Sequence, residues 1–468
     1  MLNKKKENPK FLRKMNLMDS VFLVIGAVIG SGIFMTTGYI AESVTSPGLI
    51  MIVWLVGGFI TLCGALSFGE LGAMYPKAGG LYIYIREAYG EWAGFLYGWG
   101  FFWFIMCGGI AALAIAFADY LGYFIPSLSN QSYVFQTQIL GHPYSLSAGQ
   151  IIAVISILAL TAVNYFGIKS GVVVQNIFTF LRLASVAGII ILGLAVGKKA
   201  GIMNAGDLFS GEAGFSFNTL KLFGVALIAV LWTYDGWYSV NCTAEEIKRP
   251  ERNIPLGLLL GSLSVAVVYF FMNLVYVMAL PIDRMKGVGR IGELASTQLF
   301  GSSITFFISA AIMISIFGCL SATIIYGPRV YYAMAEEGSF FRSMTYIHPR
   351  YHVPSKALAG QAIWSALLCL SGTYRDLYEY VVFALVIFFA LTGLAVIVLR
   401  FKHPEKKRPY RAWGYPVLPL IFVLINLAIF VNTVAAQPLK SLIGMLMIAI
   451  GIPAFLYWKN KANRKALS

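Results

Sequence analysis

Charge is scarce in this sequence. Of its 468 residues only 12% are Asp, Glu, Lys or Arg, against roughly 25% in an ordinary soluble domain. Histidine is scarcer still: His142, His348, His352 and His403 make no metal-ligand set, so neither a metal nor another cofactor is expected. The five cysteines, Cys63, Cys107, Cys242, Cys319 and Cys369, include no C-x-x-C pair. All fall in or at the ends of apolar segments, where they read as small buried hydrophobes. No stretch is long and polar enough to form a separate soluble domain. These absences exclude a dithiol redox centre, a soluble signalling module and the nucleophile–base or metal constellation an enzyme needs.

Apolar sequence is what the chain has in excess, at 59%. A bilayer-spanning helix needs about 20 mostly apolar residues. Such segments recur at 17–45, 48–75, 89–124, 148–168, 172–197, 218–243, 256–280, 293–335, 357–372, 376–401, 414–436 and 439–458. The reading is an all-α polytopic membrane protein of about twelve transmembrane helices, one domain over residues 1–468. The run from Val21 to Phe34 follows a basic start but lacks a small-residue cleavage site, so it reads as a retained helix and not a signal peptide.

A net charge of +15 raises the question of nucleic acid. The basic residues sit in short loops and at both termini, which is the pattern of membrane topology; the expected partner surface is a lipid bilayer, with no nucleic acid. With the N-terminus cytoplasmic, about 26 of the 35 Lys and Arg fall on the cytoplasmic side and about eight opposite, with Arg182 inside a segment. Both termini are therefore expected in the cytoplasm.

Two segments carry the marks of a broken helix. The first contains Gly26-Ala27-Val28-Ile29-Gly30-Ser31-Gly32-Ile33-Phe34, and the sixth Trp232-Thr233-Tyr234-Asp235-Gly236-Trp237. Glycine weakens a helix and permits backbone geometry other residues avoid. Gly26 and Gly30 also fit a G-x-x-x-G packing face, but the matching interruption five helices later argues for two inverted units, each opening with a discontinuous helix. The units are 17–197 and 218–401, with two additional helices over 414–458. In hydrocarbon, irregular backbone survives only where protein or a polar cavity covers it. A half-helix starting near Ser31 or Gly32 offers free N–H groups to a carboxylate. Carbonyls near Ala27 to Ile29 and Trp232 to Tyr234 suit an ammonium, so the ligand is amino-acid-like.

The motifs resemble those of the amino acid–polyamine–organocation superfamily, in particular its L-type amino acid transporter branch. Gly30-Ser31-Gly32-Ile33-Phe34 is similar to the superfamily signature, and the run from Glu70 to Tyr82 to its helix 2–3 junction. Asp235-Gly236-Trp237 with Glu245 to Pro255, and Arg329 to Ala335, resemble the helix 6–7 region and the end of helix 8 in that branch. The resemblance implies alternating access, with the carboxylate at Ser31, Gly32 and Ile33 and the amine at carbonyls of Ile29, Trp232 and Thr233. Gly30 belongs to the same site, and Trp232 stands where the branch places an aromatic gate. Arg182 occupies a helix 5 position that usually holds lysine, thought to brace helix 1 in place of a sodium ion. A guanidinium that stays protonated cannot carry protons, so neither proton coupling nor a sodium site is expected there.

Asp235, an intramembrane carboxylate, is a functional candidate by default; it could recognise an amine, pair with Arg182 or cap the broken helix. Glu70 and Asp119 are weaker candidates. Glu245 and Glu246, near Lys248, Arg249 and Arg252, suggest a salt-bridged hinge at an inner gate. Ala111, Ser321 and Val386 are candidates for setting side-chain size. Residues 125–147 hold no cysteine where animal members of the branch link to a glycoprotein, so no disulfide-linked heavy subunit is expected. A channel would need polar rings along a pore. The functional expectation is a secondary transporter of small neutral L-amino acids in the plasma membrane, working by exchange. The alternatives are a cationic amino acid or polyamine carrier, and a non-transporting sensor of the same fold.

Overall fold

The structure, a computed structural model, describes residues 11–44, 46–139, 142–166, 168–200, 217–371 and 373–466. Outside that set lie Lys4, Lys5, Lys6 and Lys10 of the basic N-terminus, the linker 201–216, and Thr45, Gly167 and Gly372 at expected segment ends.

The helices are α1 (Leu17–Val28), α2 (Gly32–Ser43), α3 (Pro47–Met74), α4 (Leu81–Tyr89), α5 (Glu91–Phe124), α6 (Ala148–Tyr165), α7 (Ile168–Ala200), α8 (Phe217–Tyr234) and α9 (Ser239–Cys242). They continue as α10 (Pro250–Ala279), α11 (Ile291–Phe300), α12 (Ser302–Glu336), α13 (Ser355–Cys369), α14 (Tyr374–Lys402), α15 (Val417–Ala436), α16 (Pro438–Ala449) and α17 (Gly451–Ala466). Polar residues between the apolar runs cap them. Asn16 and Asp19 form a capping box on α1, Ser147 and Gln150 one on α6, and the Thr373 hydroxyl accepts from the Asp376 N–H to start α14. Each satisfies amides that the first helical turn leaves unpaired.

Each of the expected apolar segments is largely helical among the described residues. Among the described residues nine spans are long and apolar enough to cross a membrane, and α1 with α2, bent by 42°, makes a tenth. The segments expected at 218–243 and 357–372 form α8, of 18 residues, and α13, of 15, and fall short of that test. The segment expected at 293–335 is two helices, divided at Gly301, where φ is +79°. The loop between α5 and α6 adds strand structure: β1 (Tyr133–Ile139) pairs antiparallel with β2 (His142–Ser147).

The broken helices sit at the centre. α1 packs on α7, α10 and α12, and α2 on α8 and α11, while α5 closes the core against α12 and α14. Burial grades outward from there: 83% of the α5 span is buried, but only 17% of the span over Pro438–Lys461. The last helices form the rim.

Candidate functional site

α1 ends at Val28, and Ile29 turns extended with φ −72° and ψ 91°. The carbonyls just before the break need new donors, because a buried unpaired carbonyl is costly. Three side chains from three helices supply them. Arg182 of α7 donates Nη1–H to Gly26 O at 2.6 Å and Nη2–H to Ser315 O at 2.9 Å. The Cys319 thiol of α12 reaches Ala27 O at 3.2 Å, and the Tyr269 hydroxyl of α10 donates to Val28 O at 2.8 Å. This corrects the expectation of open carbonyls from Ala27 to Ile29. Among the described residues only Ile29 of that set lacks a side-chain donor. Arg182 joins α1 to α12 as well as to its own helix, a partner the sequence did not indicate.

On the far side of the break the first backbone bond of α2 runs from the Phe34 N–H to Ser31 O at 3.0 Å. The amides of Ser31, Gly32 and Ile33 stand at the open end of the helix dipole, as expected. Glycine here is a matter of space. A Cβ on Gly30 would lie 2.5 Å from the Cys319 sulfur, and one on Gly32 2.5 Å from Thr233 Oγ1.

The second break follows Tyr234. The Asp235 N–H turns back to Trp232 O at 3.0 Å, and Gly236 has φ +96°. A Cβ at Gly236 would sit 2.8 Å from Ala27 O, so left-handed geometry and close approach both demand glycine. The Tyr269 hydroxyl that reaches Val28 O is also 3.0 Å from Thr233 O, so one side chain joins the two breaks. The Thr36 and Thr233 hydroxyls, 2.8 Å apart, join them again.

Between the breaks lies a cavity of about 30 Å³, room for a water or two and too small for an amino acid. Gly30, Ser31, Gly32, Trp232, Thr233 and Asp235 line it, facing Met106, Gly109 and Leu113 of α5 and Thr323 and Tyr326 of α12. Six of the eight expected binding residues therefore share one space. The exceptions, Ile29 and Ile33, are fully buried away from it and can contribute only backbone. Ala111, Ser321 and Val386 do not reach the cavity either; Ser321 accepts from Asn164 at 3.4 Å, and the Ala111 carbonyl from the Cys369 thiol at 3.8 Å. The walls come instead from Ile105 and Met106, turned inward by a π-helical stretch over Phe101–Met106. π-turns cluster at functional sites, but nothing in the local sequence announces this one.

Asp235 forms no ion pair with Arg182, and its Oδ1 is buried without a hydrogen-bond partner among the described residues. Glu70 is different. It accepts from Arg400 at 2.6 Å and from the Ala412 N–H at 2.7 Å, with Arg408 at 3.4 Å, and so ties α3 to the end of α14 and the loop beyond, away from the cavity. Asp119 accepts from Asn130 at 3.2 Å beside a vestibule of about 600 Å³ under the β1–β2 hairpin.

That vestibule ends on Tyr374, whose hydroxyl takes the Trp232 indole N–H at 2.8 Å and lies 3.1 Å from Ser31 Oγ. Trp232, the expected gate, stacks on Tyr378 at 5.8 Å and forms part of the cavity wall. Tyr374 and Tyr378 were missed in the sequence because they open a helix outside every motif. The opposite, basic end is shut by the buried pair Glu246–Arg329 at 2.8 Å. The expected hinge acid thus pairs with α12 and not with the neighbouring Lys248, Arg249 or Arg252. Met15 pairs with Ile247 across the same end, and Lys14 and Met15 donate backbone N–H groups to Glu246 O. Half-buried Glu245 next door has its carboxyl pushed above the usual range by burial, opposed by a backbone bond from Ala78.

A cavity between two helix breaks, closed at both ends, is the anatomy of a carrier, and comparison with known proteins agrees. The family model for amino acid permease matches residues 15–455. The chain belongs to the amino acid permease family. The permease is 31% identical to the serine/threonine exchanger SteT of Bacillus subtilis (strain 168) over 452 residues, covering 96% of this chain and 97% of that one. It is 28% identical to the human large neutral amino acids transporter small subunit 2, over 96% of this chain and 81% of that protein. The human b(0,+)-type amino acid transporter 1 is also 28% identical, over 91% and 83%. The permease is thus a multi-pass membrane protein that transports amino acids, and not an enzyme.

Proposed function

We propose that this permease exchanges small neutral L-amino acids across the plasma membrane by alternating access, with both termini in the cytoplasm. The observation that carries the reading is the single cavity shared by the Ser31–Gly32 amides and the Trp232–Asp235 break, with a vestibule beyond one end and a sealed basic end beyond the other. The substrate carboxylate sits on the amides of Ser31, Gly32 and Ile33, and the ammonium on Ile29 O and the carbonyls around Trp232 and Thr233. Met106, Gly109 and Leu113 receive a small side chain. The two breaks begin units 17–197 and 218–401, which rock against each other as inverted repeats. Arg182 holds α1 where a coupling cation would otherwise be needed, so no sodium or proton gradient drives this site. The basic end, richest in Lys and Arg, faces the cytoplasm, and the carrier acts without a disulfide-linked subunit.

The names of the relatives, serine/threonine and large neutral amino acids among them, agree with a neutral substrate. One observation favours a second reading. Asp235 lines the cavity with one carboxylate oxygen that has no hydrogen-bond partner among the described residues, which would suit a cationic amino acid or polyamine. Reconstituted permease should take up radiolabelled L-threonine into liposomes only when unlabelled amino acid is trapped inside. Uptake into empty liposomes would refute obligatory exchange, and flux of arginine without threonine would establish the cationic reading.

A further inference from the structure

The connection between α14 and α15 carries charge of nearly one sign. From Arg400 to Pro416 the cations Arg400, Lys402, Lys406, Lys407, Arg408 and Arg411 face a single carboxylate, Glu405. Four of the six are turned inward. Arg400 and Arg408 hold the buried Glu70 carboxylate at 2.6 and 3.4 Å, Lys402 donates to Ala88 O at 2.8 Å, and Lys406 lies 3.5 Å over the Tyr75 ring. The Ala412 N–H also donates to Glu70, at 2.7 Å, so the loop is strapped to the end of α3. The other two cations point out. Lys407 and Arg411 are exposed, and among the described residues neither has a hydrogen-bond or ion-pair partner. Glu405 lies by His403, at 3.6 Å, and pairs with neither of them.

Apolar surface adjoins this pair. Trp413 is 63% exposed, and Phe401 on the last turn of α14 is 78% exposed. α15 follows, and its Val417, Leu420, Leu424, Leu427 and Val431 are exposed at helical spacing along one face. In a chain that crosses the bilayer such a stripe lies against acyl chains. It leads up to Trp413, and tryptophan concentrates where hydrocarbon meets water, which sets Lys407 and Arg411 at the depth of the headgroups. We propose that this loop is a binding site for an anionic phospholipid, with an acyl chain along the exposed face of α15 and the phosphate against Lys407 and Arg411. Charge complementarity selects the headgroup: two unpaired cations beside an apolar stripe suit a lipid of net negative charge over a zwitterionic one, and a soluble anion leaves the stripe unused. Bound lipid fixes the loop to the bilayer and, through Arg400, Arg408 and Ala412, tightens the strap on Glu70. The consequence is a fold whose stability follows the charge of its lipids.

The test is the melting temperature of the purified permease in a neutral detergent, titrated with phosphatidylglycerol or with phosphatidylcholine of the same chains. Phosphatidylglycerol should raise it by several degrees, and phosphatidylcholine by about half as much or less. The double variant Lys407→Gln, Arg411→Gln should need about tenfold more phosphatidylglycerol for the same gain, with its melting temperature in phosphatidylcholine unchanged. Lys459→Gln, Lys461→Gln removes two cations of α17 instead and should keep the parent's response, which separates a site from a general attraction to charge. Phosphatidylglycerol brominated on its chains should also quench the part of the fluorescence that Trp413→Phe removes, and do so more than brominated phosphatidylcholine. Equal gains from the two lipids, or equal losses in the two double variants, overturn the proposal. A gain reproduced by inorganic phosphate or glycerol phosphate overturns it too, and marks a site for soluble anions. If the Lys407, Arg411 variant fails to fold, the quenching decides: no preference for the anionic lipid at Trp413 refutes the site. No amino acid enters either measurement, so the result stands whatever the permease exchanges.

Discussion

At the first break the carbonyls of Gly26, Ala27 and Val28 each accept a donor from a different helix, whereas at the second break one oxygen of Asp235, Oδ1, is buried with no hydrogen-bond partner among the described residues. The first break is clamped from three sides and presents amides to the cavity. The second is held by tight backbone, through Gly236 against Ala27 O, and presents the Trp232 ring and a carboxylate. The difference assigns labour. In the proposed function the clamped break holds the part every amino acid shares, its carboxylate, and the looser one carries the groups that discriminate. Tyr269 joins the two through one hydroxyl.

The comparison breaks most readily at Arg182. Arg182→Ala strands the Gly26 and Ser315 carbonyls, at about 1–3 kcal/mol each, and exchange in proteoliposomes should fall about a hundredfold or more. Arg182→Lys, which keeps the charge but not the fork, should lose roughly tenfold. Unchanged transport in both variants would remove the clamp from the mechanism. Gly236→Ala tests the other break: a strained left-handed residue costs about 1–3 kcal/mol, and the added Cβ meets Ala27 O besides. Exchange should fall at least roughly tenfold, with a lower melting temperature; an unaltered protein would show that the two breaks are not packed as described.

Smaller effects sharpen the contrast. Tyr269→Phe takes a hydroxyl from Val28 O and Thr233 O and should slow exchange about three- to tenfold, at about 0.5–1.5 kcal/mol for a net hydrogen bond. If its effect and that of Gly236→Ala simply add, the breaks act independently; coupling of more than about 0.5 kcal/mol would show that they move as one. Asp235→Asn should change the KM for threonine least, by under about threefold on the order of one weakened hydrogen bond, while abolishing any uptake of arginine. An equal loss for both substrates would make Asp235 structural.

Much of this was legible without a structure. Low charge, recurrent apolar runs and the Lys/Arg bias already specified a polytopic helical protein, because the bilayer sets both the length and the polarity of whatever crosses it. The breaks at Gly30-Ser31-Gly32 and Asp235-Gly236 were legible too, since glycine and an acid in mid-segment contradict an unbroken helix. The division at Gly301 was not. A single glycine within a long apolar run is usually tolerated, and only its φ shows the chain turning there. The β1–β2 hairpin was likewise missed, although Phe135, Thr137 and Ile139 alternate with Gln136 and Gln138, and Tyr144 and Leu146 with Ser145 and Ser147; between long apolar segments so short a pattern reads as a loop.

The sequence by itself determined that there are two broken helices and which backbone atoms they free, for those follow from residue type at each position. Tertiary structure alone decided which of those atoms stay free. Arg182, Cys319 and Tyr269 are each remote in sequence from Gly26, Ala27 and Val28, yet their donors consume the carbonyl of Gly26 and two of those the sequence had freed, Ala27 and Val28, while Tyr374 reaches Ser31 across 343 positions. A hydrogen bond needs partners within about 3 Å, and sequence spacing carries no information about distance between helices that meet only when packed.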